Sequence, residues 1–225
     1  MALGYVLALA LSLADYLTEG LFSKASPNKI KFISFSAGVS VAYLFLSLLP
    51  EIYSGAININ RMLFLSVLFG FGFFHIIEKY IRQNFHGNKL RKEHHMVHSV
   101  ISFVYFFAVG FILVKVTESS VVSGVLLFIP VLLHIIIDSL PRRVTKKHHI
   151  KIFGASSAFL GAIAATFINP GVMVNLSLLG VVGGALLYTV IRESLPRERE
   201  GRPMYFITGL LLFTIIIMVL WNIGY

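Results

Sequence analysis

The sequence predicts an all-α polytopic membrane protein, built as a bundle of eight transmembrane helices. Apolar residues make up 57% of the chain and charged residues only 13%, and the mean hydropathy of +0.84 is far above that of soluble globular proteins. The apolar residues form runs of roughly 20, the length that a helix needs to cross the hydrocarbon core of a bilayer. They lack the alternation of polar and apolar residues that indicates barrel strands.

Each predicted span is an apolar run bounded by polar residues. In chain order the spans are residues 2–22, 31–50, 62–82, 96–115, 121–140, 150–168, 172–192 and 204–223. The first span is long for a signal peptide and no basic segment precedes it, so we expect it to be a helix of the mature protein. The longest connection is a polar cytoplasmic loop at about residues 83–95, which leaves no room for a soluble domain. Residues 1–225 are therefore expected to form one transmembrane domain.

Three of the spans end in a similar proline-containing segment. These segments are Ser-Leu-Leu-Pro-Glu at 47–51, Asp-Ser-Leu-Pro-Arg at 138–142 and Glu-Ser-Leu-Pro-Arg at 193–197. Proline lacks the N–H that a helix interior requires, so it is expected to end each helix at the membrane interface. Repeated transporter halves would leave the same trace. Within the fifth span, Pro130 frees the Leu126 carbonyl and predicts a kink.

The basic residues predict the orientation of the chain. All but two of the 19 Lys and Arg residues lie after spans one, three, five and seven, and only Arg61 and Lys115 lie in the other connections. Cytoplasmic connections carry the excess of Lys and Arg, so we expect a multi-pass protein of the cell membrane with both termini outside. This distribution explains the net charge of +9 without a nucleic-acid partner, which would need one basic face.

The most informative ionisable residues are His134 and Asp138, near the end of the fifth span. Residues four apart on a helix share a face, so this imidazole and carboxylate are able to approach one ion or one proton path. Ionisable groups inside a span are costly, which makes a functional role the first hypothesis. Two structural roles stay open: an interfacial pair between Asp138 and Arg142, and a hydrogen bond from His134 to a backbone carbonyl.

Three segments together resemble successive spans of one transporter family. Residues 35–51 combine Gly38 with a Leu-Leu-Pro-Glu ending, residues 70–80 contain Glu78-Lys79, and residues 184–196 end in Glu-Ser-Leu-Pro. In this order the segments resemble the second, third and seventh spans of the ZIP family, the zinc and iron permease-like transporters. The resemblance implies a ZIP-like bundle that transports divalent metal ions.

The resemblance also implies a metal site between the fourth and fifth spans. There the family has a His-Asn-x-x-acid motif and a His-Glu-x-Pro-acid motif, and this chain has His-Ser-Val-Ile-Ser from His98 to Ser102 and His-Ile-Ile-Ile-Asp from His134 to Asp138. His98, His134 and Asp138 are retained, whereas Ser102 replaces an acid, so at most a mononuclear site is expected. Two imidazoles and one carboxylate suit zinc. Counting from the basic ends of the spans places Ser102 and His134 one turn deeper than the other two.

Other polar residues lie near the same side of the membrane. Asp15 and Glu19, four residues apart in the first span, are candidate metal or proton ligands. Glu78 has Arg82 at i+4 and Glu193 adjoins Arg192, so interfacial ion pairs are the simpler explanation for these two acids. The full set of candidate pathway or accessory residues is His75, Glu78, Glu193, His94 and His95.

These observations favour a transporter of divalent metal ions, with zinc as the favoured substrate and no organic cofactor. The expected partners are the bilayer and the metal ion, and a homodimer stays open. The outer half of the bundle has almost no internal charge, so an entering ion would depend on hydroxyls such as Ser40, Ser66 and Tyr105. The absence of cysteine leaves only nitrogen and oxygen ligands.

Two other functions remain open at this stage. An inner cluster of His, Asp and Glu is able to activate a metal-bound water for intramembrane hydrolysis, although neither His-Glu-x-x-His nor Gly-x-Ser-x-Gly occurs. The chain is equally compatible with a degenerate ZIP-like scaffold that no longer transports.

Overall fold

A computed structural model of the chain describes residues 2–21, 29–84, 91–139, 148–194 and 202–224. Within these ranges the side chains at 19–21, 29, 81–82, 84, 91–98, 138–139, 148–151 and 193–194 are not described. The described residues form helices and short turns without a strand, which confirms the predicted all-α class. The helices are α1 (Ala2–Leu21), α2 (Lys29–Tyr43), α3 (Leu49–Asn58), α4 (Leu63–Asn84), α5 (Arg91–Ser119), α6 (Val121–Ser139), α7 (His148–Ala155), α8 (Ser157–Phe167), α9 (Val172–Thr189) and α10 (Pro203–Asn222).

In the described part of the chain, five helical segments are long and apolar enough to cross a membrane. They are Ile30–Asn58, Leu63–Tyr80, Ser99–Ser119, Val172–Arg192 and Pro203–Asn222. Three shorter apolar helices lie within the other predicted spans, at Ala2–Thr18, Val121–Ile137 and Ser157–Phe167. The structure therefore supports a helical membrane protein with several spans, and the number eight stays a prediction.

The sequence predicted that the second span ends at Pro50, but the helix continues past this residue. A π-helical turn, Leu44–Leu48, joins α2 to α3, and the helical path continues to Asn58. The Leu49 N–H donates to the Leu44 carbonyl, five residues back. A wider turn before the proline displaces the carbonyl that its ring would otherwise meet, so the chain stays helical despite the missing N–H.

The seventh span contains a second π-helical turn, Val190–Ser194, directly after α9. It ends two residues before Pro196, and the first π turn ends two residues before Pro50. The second span packs on α10 as extensively as the seventh span packs on α4. Span two packs on span eight, and span seven packs on span three. If span two corresponds to span seven and span eight to span three, the two packed pairs are equivalent. This is the pattern that two repeated halves would produce.

Glycines bring the backbones of packed helices into direct contact. On α2 a methyl group at Gly38 would overlap the Phe206 carbonyl of α10, and one at Gly209 would overlap the Phe35 carbonyl in return. The same reciprocal arrangement joins two further pairs of helices. These are α4 with α9, through Gly70 and Gly184, and α5 with α8, through Gly110 and Gly161. Small residues at such crossings are typical of membrane helices, whose association depends on close packing.

The connections are more helical than hydropathy predicts. α4 continues to Asn84 and α5 begins at Arg91, so part of the predicted loop 83–95 is helix. Hydropathy marks the depth at which apolar residues stop, and a helix of charged residues is free to continue into water. The sixth span, expected as one helix, is divided at Ser156, whose hydroxyl donates to the Phe153 carbonyl at 2.9 Å.

The core lies where α1, α2, α5, α6 and α9 meet, and it is filled by aliphatic side chains. Leu11, Leu48, Ile112 and Leu127 are among its fully buried members. α4 and α10 lie at the periphery, since only a small part of each apolar segment is buried by the rest of the protein. This arrangement places α5 and α6, which carry the predicted metal motifs, next to each other in the interior.

Candidate functional site

His134 lies inside the bundle, on the face of α6 that contacts α5. Its side chain is only 8% exposed, and its Nδ1 atom is fully buried. The imidazole centroid is 6.3 Å from the ring of Tyr105, with the planes nearly perpendicular, and 6.4 Å from the ring of Phe106. The imidazole therefore points toward the neighbouring helix and away from lipid.

Tyr105 adds a second polar group at the same level. The residue is buried, and its hydroxyl has no hydrogen-bond partner within the described part of the chain. Its ring packs edge-on against Phe74 of α4, at 5.4 Å between centroids. A buried hydroxyl without a partner costs about 1–3 kcal/mol, and a bound water or ion usually meets that need. An imidazole and a phenol thus share an apolar space between α5 and α6.

The remaining predicted ligands differ in how far the structure places them. Ser102 is half-buried on α5. The sequence placed His134 at the depth of Ser102, whereas the imidazole contacts the ring of Tyr105, about one turn further along α5. The side chains of His98 and Asp138 lie outside the described residues. Their predicted approach to His134 stays a prediction.

The acids of the first span are only partly described. Asp15 is half-buried on α1, which packs against α5, α6 and α8. The side chain of Glu19 lies outside the described residues. Among the side chains that are described, no three of His, Asp and Glu converge closely enough to hold a metal ion. That set contains only His134 of the three motif ligands, so a complete site cannot be assembled from it.

The accessory residues at the predicted cytoplasmic end join the third and seventh spans. Glu78 Oε1 lies 2.8 Å from Arg192 Nη1, and the same nitrogen donates to the Tyr188 hydroxyl at 2.6 Å. The imidazole of His75 lies edge-on to the Tyr188 ring at 5.7 Å. Glu78 is thus bound to an arginine on another span, in addition to any contact with Arg82, whose side chain is not described. The side chains of Glu193, His94 and His95 also lie outside the described residues.

A pocket that the sequence did not predict, with both polar and apolar residues in its lining, lies at the opposite end of the bundle. We call it the outer pocket; its volume is about 290 Å³, and its polar lining consists of Glu51, Lys115, Ser119 and Asn175. The Oδ1 atom of Asn175 is buried without a hydrogen-bond partner among the described residues. The expectation that the outer half has almost no internal charge is therefore wrong at this point.

Lys115 is held at the rim of the outer pocket by other polar groups. Its ammonium lies 3.4 Å from Glu118 Oε2 and 3.5 Å from Asn169 Oδ1, and its side chain is 9% exposed. Glu51, Lys115 and Asn175 belong to three different spans and lie more than 50 residues apart in sequence. Their shared position at the outer ends of spans two, four and seven was the one available signal.

Comparison of the chain with models of protein families and with curated proteins gives no match. The assignment therefore depends on the residues and on the geometry described above. Apolar helices of membrane-crossing length, packed through glycines and enclosing a buried histidine, define the class. The chain is a helical membrane protein.

Proposed function

We propose that the chain is a ZIP-like transporter of divalent metal ions, with eight membrane spans and with zinc as the favoured substrate. The observation that carries the proposal is the burial of His134 between α5 and α6, beside the ring of Tyr105, whose buried hydroxyl has no hydrogen-bond partner among the described residues. Burying a histidine at this depth of a membrane costs free energy, so its presence favours a functional role. Neutral imidazole is a common ligand of zinc. His98 and Asp138 are the further ligands that we propose from their places in the motifs.

The outer pocket supports a route to this site from the predicted external side. The carboxylate of Glu51 and the amide oxygen of Asn175 are hard oxygen donors that attract a hydrated cation. Lys115 opposes cations, but its contacts with Glu118 and Asn169 hold its charge against oxygen atoms. The pocket therefore offers an entering metal ion a first contact before it loses its water.

A packed apolar layer separates the outer pocket from His134. Ile112, which lines the pocket, follows Tyr105 by seven residues, or about 10 Å along α5. Between them Val109 is fully buried and Phe106 is buried as well. An ion would pass this layer only when the helices move apart, which is the alternation that transporters of this kind require.

Zinc uptake into proteoliposomes tests the proposal and separates it from its alternatives. Replacing His134 with Ala removes one ligand, and loss of a ligand should reduce metal affinity at least as much as loss of its supporting contacts, by about tenfold or more. We expect uptake at subsaturating zinc to fall by at least this factor. The measurement is zinc-sensitive fluorescence inside vesicles that contain the purified full-length protein.

The matched control is Leu133→Ala, which leaves a comparable gap on the same helix without removing a donor. We expect this variant to retain uptake within about twofold, since a gap alone does not remove a ligand. Equal losses in both variants would show that packing, and not ligation, controls uptake. If the wild-type protein takes up no zinc, the transport proposal is wrong. If it instead releases fatty acid from the vesicle lipid, the result favours the hydrolase.

A further inference from the structure

A groove between α4 and the end of the seventh span lies at the predicted cytoplasmic side. We call it the inner groove; its volume is about 420 Å³. Four of its lining residues follow one another at intervals of four along α4: Phe71, His75, Lys79 and Gln83. Such spacing forms a single stripe, and 12 residues of helix extend about 18 Å. The stripe changes from aromatic, toward the membrane centre, to basic and polar at the cytoplasmic end.

The wall on the seventh span changes in the same direction. Tyr188 packs edge-on against Phe71 at 5.6 Å between centroids, and Ile191 is half exposed beside it. Arg192 follows Ile191 in the lining of the groove. Its contacts with Glu78 and Tyr188 both use Nη1, whereas a guanidinium has five N–H donors on three nitrogens. Within the described part of the chain, Nη2 and Nε make no hydrogen bond and so retain donor capacity for an anion.

The outside of α4 shows which environment the groove opens to. Phe69, Phe73 and Ile76 expose between 44% and 67% of their surface along the same helix. Large apolar side chains so exposed at membrane depth face lipid chains. Ile191, which lines the groove itself, is also half exposed, so an occupant of the inner groove comes from the bilayer, with an apolar part beside Phe71 and an anionic part beside Lys79.

We propose that the inner groove is a binding site for an anionic phospholipid of the cytoplasmic leaflet. The lipid phosphate contacts Lys79 and the remaining donors of Arg192, and the acyl chain lies along Phe71 and Ile191. Basic pockets between helices on the cytoplasmic side are suited to anionic headgroups, and arginine binds phosphate through paired hydrogen bonds. Because Lys79 belongs to the third span and Arg192 to the seventh, a phosphate that contacts both would bridge the two spans. The proposal is independent of metal transport.

Lipid retention by the purified full-length protein tests this site. The protein in a neutral detergent is titrated with phosphatidylglycerol or with phosphatidylcholine of the same chain length, and bound lipid is counted by native mass spectrometry. We expect phosphatidylglycerol to bind at least about tenfold more tightly. Lys79→Gln should reduce this preference at least about fivefold, and Arg192→Lys, which keeps the charge but loses the fork, should reduce it by a smaller factor.

Lys31→Gln is the matched control, since it removes one lysine from the same predicted side of the membrane but outside the groove. The preference should survive this change. An equal loss in Lys31→Gln and Lys79→Gln would overturn the proposal in favour of diffuse charge attraction. It is also overturned if inorganic phosphate at millimolar concentration displaces the lipid completely, or if a second copy of the chain occupies the groove in place of lipid.

Discussion

At the residue scale, His134 shows what a sequence reveals about a buried site. Its depth within an apolar span predicted an interior position, and the structure places its ring against α5. Tyr105 was named only as one of several hydroxyls, because an aromatic residue in a membrane span is indistinguishable from core by sequence. Its importance depends on the lack of a hydrogen-bond partner for its hydroxyl among the described residues, and that property exists only once the helices are packed.

Glu51 illustrates the opposite difficulty. The sequence treated it as part of a helix-ending motif, since proline precedes it and the outer interface was expected there. The structure continues the helix past it and turns it into the outer pocket, together with residues from two other spans. Such a convergence depends on how helices are arranged, which the local sequence does not encode.

Replacing Glu51 with Gln should weaken the capture of metal from the outside. The change keeps the size and the polarity of the side chain but removes its charge, and a charge in a partly enclosed cleft is worth about 1–2 kcal/mol to an entering divalent cation. We expect the KM for zinc uptake to rise by about five- to thirtyfold with little change in the maximal rate. The measurement is initial uptake into proteoliposomes over a range of zinc concentrations.

Glu118→Gln provides the comparison for that variant. Glu118 is a second carboxylate at the same end of the bundle, but it does not line the outer pocket. Its removal takes a carboxylate partner from Lys115 but leaves Glu51 in the pocket, so any rise in KM should be smaller than in Glu51→Gln. If both variants gave the same KM, general surface charge would explain capture, and the outer pocket would have no special role.

At the element scale, the helices were predictable because apolar runs of membrane length determine where they lie. The ends were not. Hydropathy failed at Pro50 and at residues 83–95 because it measures the preference for lipid, whereas a helix ends where its backbone hydrogen bonds end. The pairing of the helices was equally hidden, although the glycines that produce it are present in the sequence. Which carbonyl each glycine meets depends on the crossing geometry.

Two glycines on α4 allow a direct test of close helix packing. A methyl group at Gly70 would overlap the backbone of Val181 on α9, whereas one at Gly72 would meet nothing within 4 Å. In a helix, Ala is favoured over Gly by about 1 kcal/mol, so Gly72→Ala should leave stability unchanged or raise it. Gly70→Ala should lower it by about 1–3 kcal/mol, because the two helices have to separate.

Thermal unfolding of the two variants in the same detergent measures this difference. The melting temperature should fall for Gly70→Ala and hold or rise for Gly72→Ala. Since both substitutions have the same intrinsic effect on the helix, only the contact with α9 distinguishes them. Melting temperatures that moved together would mean that α4 and α9 do not touch at Gly70.

At the scale of the whole molecule, the sequence predicted the class and the distribution of charge, but not the internal relation of the two halves. The three similar proline-containing segments suggested a repeat, and the two π turns at matching distances from Pro50 and Pro196 now support it. The matching pairs, spans two and eight and spans seven and three, extend this relation to packing. Spans two and seven lie five spans apart, as do spans three and eight. Because this number is odd, corresponding spans would cross the membrane in opposite directions, as they do in transporters with inverted repeats.

The orientation of the chain is the last prediction, and the uneven distribution of Lys and Arg is its basis. The chain has no cysteine, so single cysteines report on individual connections without background labelling. Asn60→Cys, in the exposed turn between α3 and α4, should react with an impermeant maleimide added to intact cells. Asn88→Cys lies in a connection rich in Lys and Arg, and such connections remain in the cytoplasm. It should therefore react only after the membrane is opened. The reverse pattern would invert the molecule, exchange the inner groove with the outer pocket, and place the proposed lipid site in the wrong leaflet.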